Sequence, residues 1–532
     1  MAALAGAATE VRDLEGRMVV PGFIDGHAHM DREGLKFIHP SLDGARSIDE
    51  VLRRIQREVA GKAPGEWVVT MPLGDYPYYE GGPELMAEGR YPNRWDLDRV
   101  APDNPVYIRG IWYAWRGAPP IVSIANSRAL ELAGITRQTL PPHPDLQIVT
   151  DPSGEPTGVF IEHSTLGTME FSLMRAAPRF THAQRVEALK ASMRRYNAVG
   201  TTSVYEGHGI SPVVMRAYKA LRDSGEMTVR STLVVSPAWG AAPGAAIDEV
   251  LRDWGAYAGG TGIGDALLKF TGIYTQVGTS AASRIRARER PYPGWAGYGV
   301  DQILPRERGS LRELVVAAVQ AGLRPHGDAD DLSEFLDIFA QINERTPIAD
   351  RRFVLMHVDH ASAPQQALMK ALGVVPTILT TRLWRDGSAR TAGLSGEALD
   401  GYLPLRSYVE QAIPFVLVTD NVPIDPLHAL WAVVARRDAG TGEIIGPQQR
   451  ISREDALRAL TINGAYLSFD EHDKGSIELG KLADLAVLSE DLFTVPEQRI
   501  REIEVLMTML GGHIVFERES PWAAPIAQRA VE

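Results

Sequence analysis

The sequence predicts an α/β fold built as a (β/α)8 TIM barrel with a long insertion after its first strand. Short apolar segments alternate with amphipathic helical patterns, which is typical of βα units around a parallel sheet. Several of these apolar segments end in a polar residue. The chain has 532 residues and 45% hydrophobic content, so it can bury the large core that such a barrel requires.

Eight segments are candidate barrel strands. The first ends at Phe23-Ile24-Asp25, just before His27 and His29, and the others span residues 201–206, 229–235, 266–269, 323–326, 353–357, 374–380 and 415–420. Active sites of (β/α)8 barrels lie at the carboxyl ends of the strands. The polar residues that end these segments are therefore expected to surround the reaction site.

Helical patterns fill the gaps between the candidate strands. Residues 310–313, Ser-Leu-Arg-Glu, have the spacing of a capping box, and an apolar face follows until Gly322 ends the predicted helix. A similar stripe precedes the second candidate strand and ends at Gly200; its members are Val186, Leu189, Met193 and Tyr196. These patterns predict helices that pack on the outside of the barrel.

The segment from about residue 40 to 195 is far longer than an ordinary βα connection and must have structure of its own. It is rich in aromatic residues: Tyr76, Tyr78, Tyr79, Trp95, Tyr107, Trp112, Tyr113 and Trp115. These rings could form the core of the insertion. Alternatively, some of them line a substrate pocket, and Trp112 and Trp115 are then the candidate substrate contacts.

Composition excludes several classes of protein. A net charge of −12 argues against nucleic acid or an anionic membrane as the main partner. The absence of cysteine excludes disulfides, thiol nucleophiles and Cys-ligated zinc. The sequence shows no secretory signal and no apolar run of membrane-spanning length, so a cytoplasmic location is expected.

His27 and His29 are the first candidates for chemistry. Side chains two residues apart on a strand share a face, so both imidazoles could bind one metal ion, although such a pair taken alone is more often a satisfied surface pair. Residues 21–29, Pro-Gly-Phe-Ile-Asp-Gly-His-Ala-His, resemble the entry motif of the amidohydrolase superfamily of metal-dependent hydrolases. Residues 126–135 and 154–159 resemble insertion motifs of its YtcJ-like (amidohydrolase 3) branch, but residues 119–121, Pro-Pro-Ile, replace its usual Asp-Gly-His.

Residues 475–488 resemble the closing motif of the superfamily, which implies a small β-sandwich beside the barrel. We expect this domain to comprise residues 1–20 and 470–520, and the barrel to comprise residues 21–469 with the insertion at 40–195 covering the site. Relatives contribute a longer N-terminal stretch to the sandwich. A late start codon, a shortened chain and a smaller sandwich are equally open explanations.

The resemblance implies a two-metal site with ligands at the ends of the strands: His27, His29, Lys269, His326, His357 and Asp420. His326 lies in a His-Gly-Asp that resembles a shortened form of the branch's His-Ala-Ile-Gly-Asp. His357 is favoured over His360 as the ligand from the sixth strand, although Met356 replaces the usual Glu. Lys269 either forms an ion pair or, carboxylated on N6, bridges the two ions.

We expect about two zinc ions per chain, which manganese or iron could replace. A divalent ion lowers the pKa of a bound water to about 7, and Asp420 would carry the proton to the leaving nitrogen. The expected reaction is hydrolysis of an amide-type C–N bond in a small molecule, for which an aromatic compound is a candidate, with His208 and His360 as further substrate contacts. A deaminase with one metal and a non-catalytic binding or regulatory protein are the alternatives, and a homodimer is the expected assembly.

Overall fold

The computed structural model describes residues 6, 8–9, 11–79, 81–110, 120–164, 167–237, 239, 246–287 and 304–519. Among them, eight parallel strands form one sheet in the spatial order β8-β7-β6-β5-β4-β3-β2-β1. In chain order these strands are β1 Phe23–Asp25, β2 Thr201–Ile210, β3 Arg230–Val235, β4 Leu268–Tyr274, β5 Pro325–Asp328, β6 Val354–Met356, β7 Val375–Leu379 and β8 Val416–Val418. The predicted barrel is confirmed.

The barrel closes where β8 meets β1. The backbone N–H of Asp420 donates to the carbonyl of His27 over 3.1 Å. The buried Asp25 carboxylate accepts from the backbone N–H of Thr419 over 3.1 Å and from the Thr419 hydroxyl. This closure brings the residues that follow β1 against the residues that follow β8.

Three strands extend further along the chain than the sequence predicts. β2 continues to Ile210, β4 starts at Leu268 and runs to Tyr274, and β5 starts at Pro325 and runs to Asp328. In β4 the pairing with β3 shifts register between Phe270 and Ile273, where Gly272 has a φ of +64°. Such an irregular strand continues beyond its run of apolar residues. The apolar run alone therefore predicts the wrong position for the carboxyl end of the strand.

Helices surround the barrel, as predicted. Their bounds are Met30–Glu33, His182–Ala198, Pro212–Ser224, Ile247–Ala258, Ala281–Ala287, Leu311–Gln320, Leu332–Asn343, Ala363–Leu372, Thr381–Trp384, Gly387–Thr391, Glu397–Asp400, Leu405–Gln411, Pro426–Ala435, Arg453–Ala459 and Ile462–Leu467. The capping box predicted at Ser310 is confirmed, because its hydroxyl accepts from the N–H of Glu313 and the Glu313 carboxylate accepts from the N–H of Ser310. None of the helices in the described ranges is long and apolar enough to cross a membrane.

The insertion has a five-stranded sheet of its own, in the order Val68–Thr70, Val106–Ile108, Ile121–Ala125, Pro156–Glu162 and Leu146–Thr150. The first pair is parallel and the others are antiparallel. Its helices are Ile48–Val59, Arg94–Asp98 and Ser127–Ala133. Tyr76, Tyr78 and Tyr79 pack in an apolar cluster with Leu379 and Val418, so this part of the insertion contacts the ends of β7 and β8.

The two ends of the described chain meet in a four-stranded antiparallel sheet. Its strands lie in the order Met18–Pro21, Leu485–Leu488, Val505–Leu510 and His513–Glu517. The buried guanidinium of Arg230 pairs with the Asp484 carboxylate over 2.7 Å, which attaches this sheet to β3 of the barrel. The division into domains at residues 20 and 470 stays a prediction.

Candidate metal centre

His27 and His29 lie just beyond β1, with their rings in the barrel mouth. Both side chains are buried, and the ring centroids are 4.9 Å apart. The backbone N–H of His27 donates to the Asp25 carboxylate over 3.1 Å, and the N–H of Ala28 donates to the carbonyl of Tyr205 on β2 over 2.9 Å. These bonds fix the segment between β8 and β2.

Asp420 lies just beyond β8 and faces the two histidines. Its φ of +50° is rare for a residue with a Cβ and turns the chain sharply at the strand end. One carboxylate oxygen, Oδ1, lies 2.7 Å from Nε2 of His29 and 3.9 Å from Nε2 of His27. Three potential ligands from β1 and β8 therefore converge.

Asn421 holds the backbone of His29. Its side-chain oxygen accepts from the N–H of His29 over 3.0 Å, and its side-chain nitrogen donates to the carbonyl of His29 over 2.8 Å. Asn421 also has a positive φ, +62°, a conformation that asparagine tolerates better than most residues. Asn421 was not predicted as a site residue, since nothing in the sequence around Asp420 distinguishes it from other loop residues.

His357 and His208 complete a group of four histidines. His357 follows β6 and has a φ of +55°, and its ring centroid is 4.6 Å from that of His27. His208 lies within β2, near its carboxyl end, with its ring 4.3 Å from His27 and 5.2 Å from His357. His208, predicted as a substrate contact, thus lies among the proposed metal ligands.

Asp328 ends β5 and supplies a second carboxylate. Its Oδ2 lies 3.8 Å from Nε2 of His208 and 3.8 Å from Nδ1 of His357. Asp328 was predicted only as part of the His-Gly-Asp motif and not as a site residue. Its position two residues after the predicted end of the fifth strand was the available signal.

Burial sets the charge of these histidines. It lowers the pKa of His27, His29 and His208 well below the ordinary value, and neighbouring cationic or histidine groups lower it further. These rings are therefore neutral at pH 7 and can donate a lone pair to a metal ion. Burial also acts to lower the pKa of His357, but the Asp328 carboxylate outweighs this effect and raises it.

The donor set fits a divalent metal ion. Within the described part of the chain, both ring nitrogens of His27, both of His208 and Nε2 of His357 are buried without a hydrogen-bond partner. Each such group costs about 1–3 kcal/mol when left unsatisfied. Ligand atoms of these residues lie within 4.8 Å of one another in overlapping groups of three, and nitrogen with carboxylate oxygen suits zinc, manganese or iron.

The structure places Lys269 and His326 away from this cluster. Lys269 is the second residue of β4, at the opposite end of the barrel, where its Nζ donates to the Asp470 carboxylate over 2.7 Å and to the carbonyl of Ser468. His326 lies inside the barrel with Nε2 2.6 Å from the Tyr205 hydroxyl. Both differences follow from the later carboxyl ends of β4 and β5.

The remaining predicted contacts lie elsewhere or outside the described ranges. His360 is exposed, with Nε2 3.0 Å from the carbonyl of Ala398. Trp112 and Trp115 lie outside the described residues. The predicted aromatic pocket wall therefore stays a prediction.

Two buried carboxylates that sequence analysis did not single out lie behind His29. Oε2 of Glu206, on β2, is 4.0 Å from Nδ1 of His29. Its other oxygen accepts from the N–H of Met30 over 2.8 Å and from the Tyr218 hydroxyl over 2.7 Å. Asp31 forms a further group with His29 and Glu206. A carboxylate behind a ligating histidine orients its ring.

Comparisons with known proteins show what this chain is similar to. A sequence profile of the amidohydrolase family matches residues 10–516. An N-substituted formamide deformylase of Arthrobacter pascens is 27% identical over 536 residues, covering 96% of this chain and 90% of the relative. The protein YtcJ of Bacillus subtilis (strain 168) is 24% identical over 531 residues, covering 96% and 91%. The crystal structure of an uncharacterised metal-dependent hydrolase from Pyrococcus horikoshii OT3 shares the fold, with a TM-score of 0.64 and 20% identity over 92% of this chain and 90% of that one.

Proposed function

This chain belongs to the amidohydrolase family, and we propose that it is a metal-dependent hydrolase that cleaves an amide-type C–N bond in a small molecule. The observation that carries the proposal is the convergence of His27, His29 and Asp420 where β1 meets β8. These three residues would hold a divalent metal ion. A divalent ion bound there would polarise a substrate carbonyl and supply a water of lowered pKa.

Asp420 is the proposed proton carrier. Its buried carboxylate lies beside both histidines, with Oδ1 2.7 Å from Nε2 of His29 and 3.9 Å from Nε2 of His27. From that position it can accept the proton of the attacking water and deliver it to the leaving nitrogen. The chain contains no cysteine, so a thiol nucleophile is excluded.

N-formyl compounds are the first substrates to test, because one relative is an N-substituted formamide deformylase that aligns with 96% of this chain. N-acyl, anilide, carbamate and cyclic amide compounds extend the panel to other C–N bonds. The homodimer and the cytoplasmic location stay predictions.

The test is removal and return of metal. Protein treated with a chelator should lose hydrolysis of the panel, and Zn²⁺ or Mn²⁺ should restore it. His27→Asn should lose both the metal and the hydrolysis, whereas His360→Asn, an exposed histidine, should keep both. Undiminished hydrolysis by protein shown by elemental analysis to be metal-free would contradict the proposal.

The aminohydrolase alternative has one observation in its favour, since the cluster contains no lysine: Lys269 pairs with Asp470 instead. The same panel extended with aminopurines and aminopyrimidines distinguishes the two functions, because a deaminase releases ammonia from a ring carbon. Release of ammonia from these compounds without any amide hydrolysis would favour the alternative.

A further inference from the structure

A buried ion network lies behind Asn421, outside the group of metal ligands. Its centre is Glu33, which ends the short helix after His29 and has a side chain that is only 2% exposed. The Glu33 carboxylate accepts from the amide nitrogen of Asn421 over 3.3 Å. We propose that Glu33 is a positioning residue, which holds Asn421 and through it His29, and thereby raises the metal affinity of the site. This inference rests on the proposed function, because it concerns the metal site of that function.

Two cationic side chains fix the Glu33 carboxylate. Nζ of Lys36, on a side chain that is 1% exposed, lies 2.8 Å from Oε2. Nε of Arg195 donates to Oε1 over 3.2 Å. Hydrogen bonds between charged groups are stronger than those between neutral ones, so these two donors hold both carboxylate oxygens in place. Asn421 is therefore bonded to an acceptor that has a fixed position.

Glu33 also favours one orientation of the Asn421 amide. An ionised carboxylate only accepts hydrogen bonds, so the nitrogen end of the amide faces Glu33. The oxygen end then accepts from the backbone N–H of His29 and from the Tyr196 hydroxyl. In the reversed orientation, the amide oxygen would face the Glu33 carboxylate and the amide nitrogen would face the N–H of His29. Glu33 therefore stabilises the orientation that satisfies His29.

The network extends to the insertion. Arg195 lies on the helix His182–Ala198, and its Nη2 donates to the hydroxyl of Tyr76. The guanidinium carbon lies 5.4 Å from the centroid of the Tyr76 ring and 4.9 Å from that of the Phe37 ring. Glu33 therefore links the insertion and an outer helix of the barrel to the metal-binding segment.

The test compares the Zn²⁺ affinity of full-length Glu33→Gln with that of the parent protein, by competition with a chromophoric chelator. The dissociation constant should rise about 10-fold, the lower end of the range for residues that orient metal ligands. Hydrolysis of the substrate panel should recover in excess Zn²⁺, because Glu33 does not touch the reacting atoms. Glu471→Gln is the matched control, since Glu471 pairs with Arg352 over 2.6 Å at the opposite end of the barrel. It should keep the parent affinity.

A double variant tests whether Glu33 acts through Asn421. Glu33→Gln combined with Asn421→Ala should bind Zn²⁺ as weakly as Asn421→Ala alone, because effects that share one route do not add. Glu33→Asp covers the case in which Glu33→Gln fails to fold. It keeps a negative charge between Lys36 and Arg195 but reaches less far toward Asn421, so its dissociation constant should also rise. Circular dichroism checks that each variant is folded.

The outcomes separate this inference from the proposed function. If folded Glu33→Gln and Glu33→Asp bind Zn²⁺ as tightly as the parent protein and only their urea midpoints fall, Glu33 has a purely structural role and the inference is overturned, while the proposed function stands. A double variant that binds Zn²⁺ more weakly than Asn421→Ala would overturn the route through Asn421. No bound Zn²⁺ in the parent protein would contradict both proposals.

Discussion

At the scale of single residues, the site depends on side chains held in uncommon backbone conformations. His357, Asp420 and Asn421 all have a positive φ, between +50° and +62°. Such conformations cost about 1–3 kcal/mol each for residues with a Cβ and persist only where surrounding contacts impose them. The bonds from Asp420 to His27 and from Asn421 to His29 are contacts of this kind.

Asp420→Asn should separate proton transfer from metal binding. The amide keeps the shape and one oxygen ligand but cannot accept the proton, so kcat should fall by about 10²-fold or more, while the metal content changes little because the histidines remain. Steady-state kinetics on a substrate from the panel and elemental analysis of the same samples measure the two effects. A near-parent rate would show that another group carries the proton.

Asn421→Ala should weaken both the fold and the metal site. The change removes the acceptor of the buried His29 N–H and of the Tyr196 hydroxyl, while the His29 carbonyl still accepts from backbone N–H groups. Each buried donor left unsatisfied costs about 1–3 kcal/mol. We expect the free energy of unfolding to fall by about 2–4 kcal/mol and the metal affinity by about 10-fold or more.

Asn421→Asp is the matched comparison, because it keeps the acceptor for the N–H of His29 but turns a carboxylate oxygen toward the His29 carbonyl and the Glu33 carboxylate, to which the amide nitrogen donates. It should be no more stable than Asn421→Ala in urea denaturation of metal-free protein, since a buried carboxylate that faces other oxygens is destabilising. Equal stability of all three proteins would show that Asn421 does not hold His29.

At the scale of elements, the sequence predicts the presence of strands and helices better than their ends. Capping chemistry is local, so the helix that starts after Ser310 is predicted to the residue. The carboxyl end of β4 depends on pairing with β3 and on the irregularity at Gly272, which no local pattern reveals. The predicted strand therefore ends at Lys269, whereas in the structure this residue lies near the start of β4.

The same reasoning explains which part of the site could be predicted. His27, His29, His357 and Asp420 follow short strands whose apolar runs stop where the strands stop, and the structure brings them together. His208 and Asp328 lie in strands that extend beyond their apolar runs. Their place in the cluster depends on the packing of β2, β5 and β6, which the sequence does not specify locally.

Lys269→Ala tests the revised place of this lysine. Its ion pair with Asp470 is partly exposed, and Lys474 remains 3.1 Å from Asp470 as a second partner. The free energy of unfolding should therefore fall by only about 1 kcal/mol, and metal content and kcat should stay at parent values. Loss of metal from folded Lys269→Ala would return the lysine to the ligand set.

At the scale of the whole molecule, the position of β1 depends on both ends of the chain. Met18–Pro21 pairs with Leu485–Leu488 in the small sheet, and the backbone N–H of Gly22 donates to the carbonyl of Asp484 over 2.8 Å. The Asp484 carboxylate in turn pairs with Arg230 of β3. The small sheet therefore helps to hold the strand that presents His27 and His29.

The stability of the whole protein should respond to metal. Without an ion, the cluster contains several buried nitrogen and oxygen atoms that have no hydrogen-bond partner in the described structure, including both ring nitrogens of His27 and of His208. An ion that binds the folded chain and not the unfolded one stabilises the folded chain by about 2.7 kcal/mol when the free ion concentration is 100 times the Kd.

We expect Zn²⁺ added to chelator-treated protein to raise the urea concentration at the midpoint of unfolding, and this rise should grow with the Zn²⁺ concentration. Tryptophan fluorescence can follow unfolding, and His27→Asn should give a much smaller rise than the parent protein. Identical midpoints with and without Zn²⁺ would mean that the cluster does not bind the ion in the folded protein.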